Sequence, residues 1–218
     1  MRGNVYFVSG TGTGIGKSYA TGYIAKMWNE RGIKTITMKL IQTGNLEISE
    51  DIELHRRIMG SPLLPEDIQK LTMPEIFSYP CSPHLASRID GRRIDFEKIK
   101  RCTEILSERF DRVLVEGAGG LMVPLTETLL TIDYVRRERY PLILAASSVL
   151  GSINHILLSL EAVSARGINL YAFAYNLYED KGYEDETIKK DTRNYVSGYL
   201  EKHFPDTLFV DIPALELR

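Results

Sequence analysis

Apolar positions along this chain follow two alternating periods. Short runs with no polar face, Val5-Tyr6-Phe7-Val8-Ser9, Ile33 to Leu40, Arg112 to Val115, Pro141 to Ser147, Leu170 to Tyr175 and Leu208 to Val210, read as strands. Between them, apolar residues return every three or four positions. Ala20, Tyr23, Ile24, Met27 and Trp28 form one helical face, and Ile153, Ile156, Leu157, Leu160 and Val163 form another. Phe96 to Phe110, Thr187 to His203 and Asp51 to Met59 read as further helices. Two helices stop at the same tripeptide, Arg31-Gly32-Ile33 and Arg166-Gly167-Ile168, where glycine suits a left-handed cap.

Strand and helix alternate, which predicts an α/β fold: one domain over residues 1–218, a mainly parallel sheet, and helices on both faces. Ligands of such folds collect beyond the carboxyl ends of the strands. The alternation lapses where Pro62, Pro65, Pro74, Pro80 and Pro83 punctuate a segment running to about Ile94, and again in a charged loop from Tyr178 to Glu186. A long irregular stretch in a compact domain is usually functional.

Composition narrows the picture by exclusion. With 27 Lys plus Arg against 29 Asp plus Glu the net charge is −2, and no basic stripe appears, so neither nucleic acid nor an anionic membrane is an expected partner. No apolar run is long enough for a membrane span and no leader pattern precedes Val5, so a cytoplasmic protein is expected. Cys81 and Cys102 have neither disulfide-framework nor metal-ligand spacing and read as reduced thiols, Cys81 in a loop.

The first strand runs into Gly10-Thr11-Gly12-Thr13-Gly14-Ile15-Gly16-Lys17-Ser18 and then a helix. Glycines let backbone N–H groups converge on phosphate oxygens, the helix N-terminus adds a favourable dipole, Lys17 supplies charge, and the Ser18 hydroxyl can ligate Mg²⁺. The loop departs from GxxxxGK[ST], since Thr11 stands six before Lys17 and Gly10 is one place further back.

Three more polar residues fall at strand ends or in the loops after them. Lys39 closes the run Ile36-Thr37-Met38 and is expected on the rim of the glycine loop, where a second cation would stabilise phosphoryl transfer. Glu116 ends Val113-Leu114-Val115, where an unpaired carboxylate is costly; a metal ion or a salt bridge would satisfy it. Asp51 either joins that site or simply places negative charge at a helix start. Together Ser18, Asp51 and Glu116 form the hard oxygen set that Mg²⁺ prefers. His84 and His155 read as hydrogen-bonded packing residues.

Five blocks in order carry a family resemblance. Gly10-Thr11-x-Thr13-x-Ile15-Gly16-Lys17-Ser18, Lys39 with Thr43, Ser82-Pro83-His84, Val115-Glu116-Gly117-Ala118-Gly119-Gly120 and Gly151-Ser152-Ile153-Asn154-His155 together resemble the dethiobiotin synthetases of the P-loop NTPase superfamily. The resemblance accounts for the extra loop residue. It implies an ATP- and Mg²⁺-dependent cyclo-ligase of biotin biosynthesis, closing the ureido ring of dethiobiotin from 7,8-diaminononanoate and CO₂ or bicarbonate. Its intermediates would be a carbamate and a carbamic-phosphoric anhydride.

Carried onto this sequence, Gly12, Thr13, Gly14, Ile15, Gly16, Lys17, Ser18 and Tyr19 would hold the nucleotide, with Asn176 at the base. Lys39, Lys17 and Thr13 would act on the transferred phosphoryl group, and Ser18, Asp51 and Glu116 would bind Mg²⁺. Lys39, Thr43, Gly151, Ser152 and Asn154 would bind the diamine, the last three from the neighbouring subunit of a homodimer. Ser152 also reads as a plain helix N-cap. Next to Asn176 the chain has Leu177 where the family has an acidic residue, and Thr207 to Pro213 replaces a family motif, which predicts weak discrimination among nucleoside triphosphates.

Two other classes share such a loop. MinD-type partition ATPases carry a lysine five positions before the loop lysine, where this chain has Gly12. Cobyrinate-type amide ligases normally append a glutaminase domain, for which 218 residues leave no room.

Overall fold

Every residue of β1 (Val5–Gly10) is buried, and alternation along it divides the core in two. Val5 and Phe7 enter one apolar cluster, Tyr6 and Val8 the other. A strand covered on both faces belongs in a parallel sheet between helical layers. In the computed structural model, which describes residues 4–147, 149–177 and 185–215, β1 lies between β5 (Arg112–Gly120) and β6 (Leu142–Ser147). On one side β2 (Thr35–Lys39) pairs with β5; on the other, β7 (Leu170–Asn176) and β8 (Leu208–Ile212) follow β6. The sheet order is β2-β5-β1-β6-β7-β8, and every pairing in it is parallel. The expected α/β architecture is therefore observed.

On the Tyr6 and Val8 face lies α1 (Lys17–Glu30), which buries Ala20, Ile24 and Trp28. Next to it packs α2 (Glu50–Met59). Gly22 makes that contact possible, because a Cβ there would stand 2.9 Å from Ile58 Cδ1. The opposite face is covered by α5 (Phe96–Arg109), α6 (Thr131–Glu138), α7 (Ser152–Ala165) and α8 (Glu186–His203), which contribute Ile99, Ile132, Ile156 and Val196 to the larger cluster.

The repeated Arg-Gly-Ile stops are Schellman turns. Gly32 donates to Asn29 O at 2.9 Å and Ile33 to Trp28 O at 3.0 Å; Gly167 donates to Ser164 O at 2.9 Å and Ile168 to Val163 O at 3.2 Å.

Two expectations need correction. The proline-punctuated segment is not wholly irregular: α3 (Pro65–Ile68), α4 (Pro83–Ile89) and a two-stranded parallel sheet of β3 (Gln42–Thr43) with β4 (Ile76–Phe77) lie in or beside it. Pro65 and Pro83 open their helices, where a missing N–H costs nothing. β5 runs on past Val115 to Gly120, and α6 is a short helix that the apolar spacing does not announce. The loop expected from Tyr178 to Glu186 falls largely outside the described residues.

Candidate active site

Register brings the charged residues together. On β2 and β5, Lys39 stands opposite Glu116, and on β1 and β5, Val8 stands opposite Glu116. The strand carrying Glu116 is thus flanked by the strand that ends in Lys39 and the one that feeds the glycine loop. α1 starts at Lys17 directly after that loop, so Ser18 sits on its first turn. From the other direction, Ser49 caps α2 by accepting from Ile52 N, which sets Asp51 on the first turn of α2 facing Ser18.

The contacts are short. Ser18 Oγ lies 2.6 Å from Asp51 Oδ1 and 2.9 Å from Glu116 Oε1. Lys39 Nζ donates to Asp51 Oδ2 at 2.6 Å, to Glu116 Oε1 at 2.8 Å and to Gly117 O at 3.2 Å. Lys17 Nζ donates to Gly12 O at 2.9 Å. Glu116 is fully buried, with Lys39 almost so.

Electrostatics follow from that burial. For Lys39, desolvation favours the neutral amine, but Glu116 and Asp51 outweigh it and raise the pKa above the ordinary lysine value. For Glu116, desolvation favours the acid, but Lys39 and the His55 hydrogen bond overturn it and hold the carboxyl well below its usual range. Lys17 shifts the other way: desolvation dominates and its pKa is lowered, Lys39 adding to the effect. The site therefore holds interlocked charges of both signs, with Lys17 the less compensated cation.

A cavity of about 630 Å³ opens over these groups, lined by Thr13, Gly14, Gly16, Lys17, Ser18 and Tyr19. Lys39, Thr43, Asp51 and Glu116 line it too, as does the half-buried thiol-bearing Cys81. Gly14 and Gly16 have φ of 76° and 85°, values that L side chains rarely adopt, which is why the loop needs glycine at both. Gly12 lines a neighbouring cavity of about 440 Å³, and Ile15 is half-buried against the core.

Some predicted residues lie elsewhere. Asn176, at the end of β7, is buried against the loop, its Nδ2 donating to Ile15 O at 3.2 Å. A Cβ on Gly16 would fall 1.8 Å from that nitrogen. Asn176 therefore braces the loop as the structure places it. Gly151, Ser152 and Asn154 do not line the larger cavity. Nor is Ser152 a cap: Gly151, at φ 89°, takes the N-cap position, and Ser152 is buried in the helix with an unpartnered Oγ. His84 is hydrogen-bonded as expected, its Nδ1 3.0 Å from Ser82 Oγ, whereas His155 is exposed at the rim of the smaller cavity and is not a packing residue.

His55 was not anticipated. Fully buried on α2, its Nε2 lies 2.8 Å from Glu116 Oε2 and its Nδ1 3.1 Å from Thr37 Oγ1. The available signal was spacing. Asp51 and His55 are four residues apart on one helix face, and Thr37 is two before Lys39 on one strand face.

The donor set suits a small hard cation. Two carboxylates and a hydroxyl converge from three separate elements, with no soft ligand among them. Among the described residues no group of three or more His, Cys, Asp or Glu side chains is placed to hold a metal ion. Among the same residues no helix is long and apolar enough to cross a membrane.

Comparison with known proteins agrees with this geometry. Residues 4–216 match a family model described as an AAA domain, a family of P-loop NTPases. Among solved structures, the signal recognition particle receptor FtsY from Elizabethkingia anophelis shares the fold at a TM-score of 0.53 and 13% identity, over 99% of this chain and 60% of that one. ParA of pNOB8 does so at 0.54 and 12%, over 99% and 88%. Much nearer in sequence are ATP-dependent dethiobiotin synthetase BioD 2 of Pasteurella multocida, 47% identical over 94% of this chain and 95% of that protein, and BioD of Chlorobaculum tepidum, 46% identical over 100% and 88%. With that identity along nearly its whole length, and with a phosphate loop, paired lysines and paired carboxylates on one rim, the chain belongs to the ATP-dependent dethiobiotin synthetases, ligases of biotin biosynthesis.

Proposed function

We propose that residues 1–218 act as one catalytic domain that closes the ureido ring of dethiobiotin from 7,8-diaminononanoate, CO₂ and ATP. The observation that carries this reading is the convergence of Lys17, Ser18, Lys39, Asp51 and Glu116, drawn from four separate stretches of the sequence, on one cavity. One substrate amine becomes a carbamate, its oxygen takes the γ-phosphoryl group, and the second amine attacks the mixed anhydride carbon and expels phosphate. Such a reaction needs no protein nucleophile. It needs positioning and charge stabilisation, which lysines, glycines and hydroxyls supply.

The loop from Gly12 to Ser18, with Tyr19 beside it, would cradle the triphosphate, Thr13 and Lys17 contacting its oxygens. Mg²⁺, which Ser18, Asp51 and Glu116 would hold, supplies charge neutralisation to the phosphates. Lys39 would contact the carbamate and the transferred group. An ammonium has three N–H bonds, and all three now have acceptors inside the protein, so Lys39 must release at least one to reach substrate. Thr43 on the cavity wall keeps a hydroxyl near the diamine. Gly151, Ser152 and Asn154, away from the cavity of their own chain, would reach the substrate carboxylate of a neighbouring subunit in a homodimer. A cytoplasmic location fits these substrates.

Incubating the protein with the diamine, labelled bicarbonate, Mg²⁺ and ATP tests the reading. Stoichiometric phosphate release with label in a cyclic urea is expected. ATP hydrolysis without labelled urea would contradict it.

A further inference from the structure

Behind the carboxylate of Glu116 lies a buried polar chain that the reaction just described does not use. It runs from Asp67 through Arg56 and Thr37 to His55, and each member is buried to 3% exposure or less. Arg56 donates through Nε to Asp67 Oδ2 and through Nη2 to Asp67 Oδ1, both at 2.8 Å, a fork-to-fork pair. Thr72 Oγ1 donates to Asp67 Oδ1 at 2.7 Å, and Leu64 N donates to Asp67 Oδ2 at 2.7 Å. The guanidinium is thereby fixed, and its Nη1 donates to Thr37 Oγ1 at 2.8 Å.

Hydrogen bookkeeping then sets the imidazole. Arg56 has no acceptor atom, so the Thr37 oxygen accepts from it and has its own single proton to place. The neighbour within reach is His55 Nδ1 at 3.1 Å. Nδ1 thus has a hydroxyl partner, and because the ionised carboxylate of Glu116 can only accept, Nε2 carries a ring hydrogen and donates it to Glu116 Oε2 at 2.8 Å. Glu116 has its two oxygens engaged in opposite directions: Oε2 is held by His55, while Oε1 meets Ser18 and Lys39.

We infer that His55 is a positioning residue of the active site. Its Nε2–H fixes the rotamer of Glu116, so that Oε1 faces the cation and phosphate side, and Thr37 with Arg56 and Asp67 fixes His55 in turn. The inference rests on the reading of Glu116 as a site residue. Groups that orient ligating side chains in this way typically change metal affinity or activity by about 10- to 100-fold when removed.

Two substitutions of similar polarity separate positioning from packing. In His55→Gln the amide nitrogen can stand where Nε2 stands and donate to Glu116. In His55→Asn the amide is shorter, reaches toward Thr37 and leaves Oε2 without a donor. Three readouts are taken on both: kcat and the KM for ATP, Mn²⁺ binding in the presence of a non-hydrolysable ATP analogue by electron paramagnetic resonance, and thermal unfolding. Glu116→Gln serves as the reference.

The expected result is a kcat about 10- to 100-fold below the parent in His55→Asn with KM for ATP within about threefold, Mn²⁺ affinity reduced about tenfold, and both quantities restored to within about threefold in His55→Gln. Equal values in the two variants, whether both parental or both impaired, would overturn the inference, as would Asn outperforming Gln. Glu116→Gln keeps the two levels apart. Loss of its turnover with parental His55→Asn would remove His55 alone, whereas parental turnover in Glu116→Gln would remove the reading of the site itself.

Discussion

The two ends of the sheet treat charge differently. Across β2, β5 and β1 the ionised groups are sealed: the side chains of Lys39 and Glu116 are 6% and 0% exposed and lie 2.8 Å apart. At the β7 and β8 end the comparable pair, Arg193 of α8 with Asp211 of β8, is 2.6 Å apart but 39% and 38% exposed, beside the rings of Phe173, Tyr175 and Phe209. Distance alone would rank them alike. Burial separates them, because breaking a buried pair strands a charge that water cannot reach, whereas exposed pairs are worth about 0 to 1 kcal/mol. Chemistry should therefore be intolerant of change at the first end and tolerant at the second.

The largest effect is expected at Lys39. Lys39→Ala should lower kcat by about 100- to 1,000-fold, the scale of losing one preorganised charge partner in a transition state, while far-UV circular dichroism stays parental. Retained turnover, read by phosphate release, would break the contrast at its strongest point.

Next comes the chain behind the site. Asp67→Asn should destabilise the fold by about 3–5 kcal/mol in urea denaturation, since it leaves Arg56 buried without its counter-charge. A cost below about 1 kcal/mol would show that this pair is energetically like the exposed one.

Acid should act on the same residues. For Asp67, as for Glu116, burial disfavours ionisation but cationic partners outweigh it, so both folded-state pKa values lie below the ordinary ones. The unfolded chain then binds more protons, and the stability these groups confer is present above about pH 4 and lost as pH falls below it. Urea midpoints between pH 7 and pH 3 should decline through this window. A flat profile would contradict the assigned directions.

The smallest effects belong to the far end. Arg193→Ala should change stability by less than about 1 kcal/mol and leave kcat within about twofold. The protein should also use ATP and GTP with less than about hundredfold preference, because Leu177 stands beside Asn176 where the family has an acidic residue and Thr207 to Pro213 replaces a family motif. A larger preference in direct competition would sharpen the comparison by placing specificity at the far end.

Sequence reading located the intolerant end better than the tolerant one, for physical reasons. Lys17, Ser18, Lys39 and Glu116 were legible because glycines and strand ends are punctuated locally, and parallel register then carries strand ends to one rim, while Asp51 was marked only by its place at a helix start. His55 escaped because its one local mark, the four-residue spacing from Asp51, says nothing of what it faces; its partner Glu116 is 61 residues away. The helices α3 and α4 were hidden by prolines that open them, which resemble prolines that break helices. Ser152 has the residue type of a cap, but Gly151, in a left-handed conformation, holds that place, and no residue-type rule separates the two.

A structure of the protein with Mg²⁺, a non-hydrolysable ATP analogue and the diamine tests the central claim most directly. The account predicts the triphosphate in the loop from Gly12 to Ser18, and Lys39 released from at least one of Asp51 and Glu116 toward the transferred phosphate. Triphosphate bound on another face, with Lys39 still donating to both carboxylates, would contradict it.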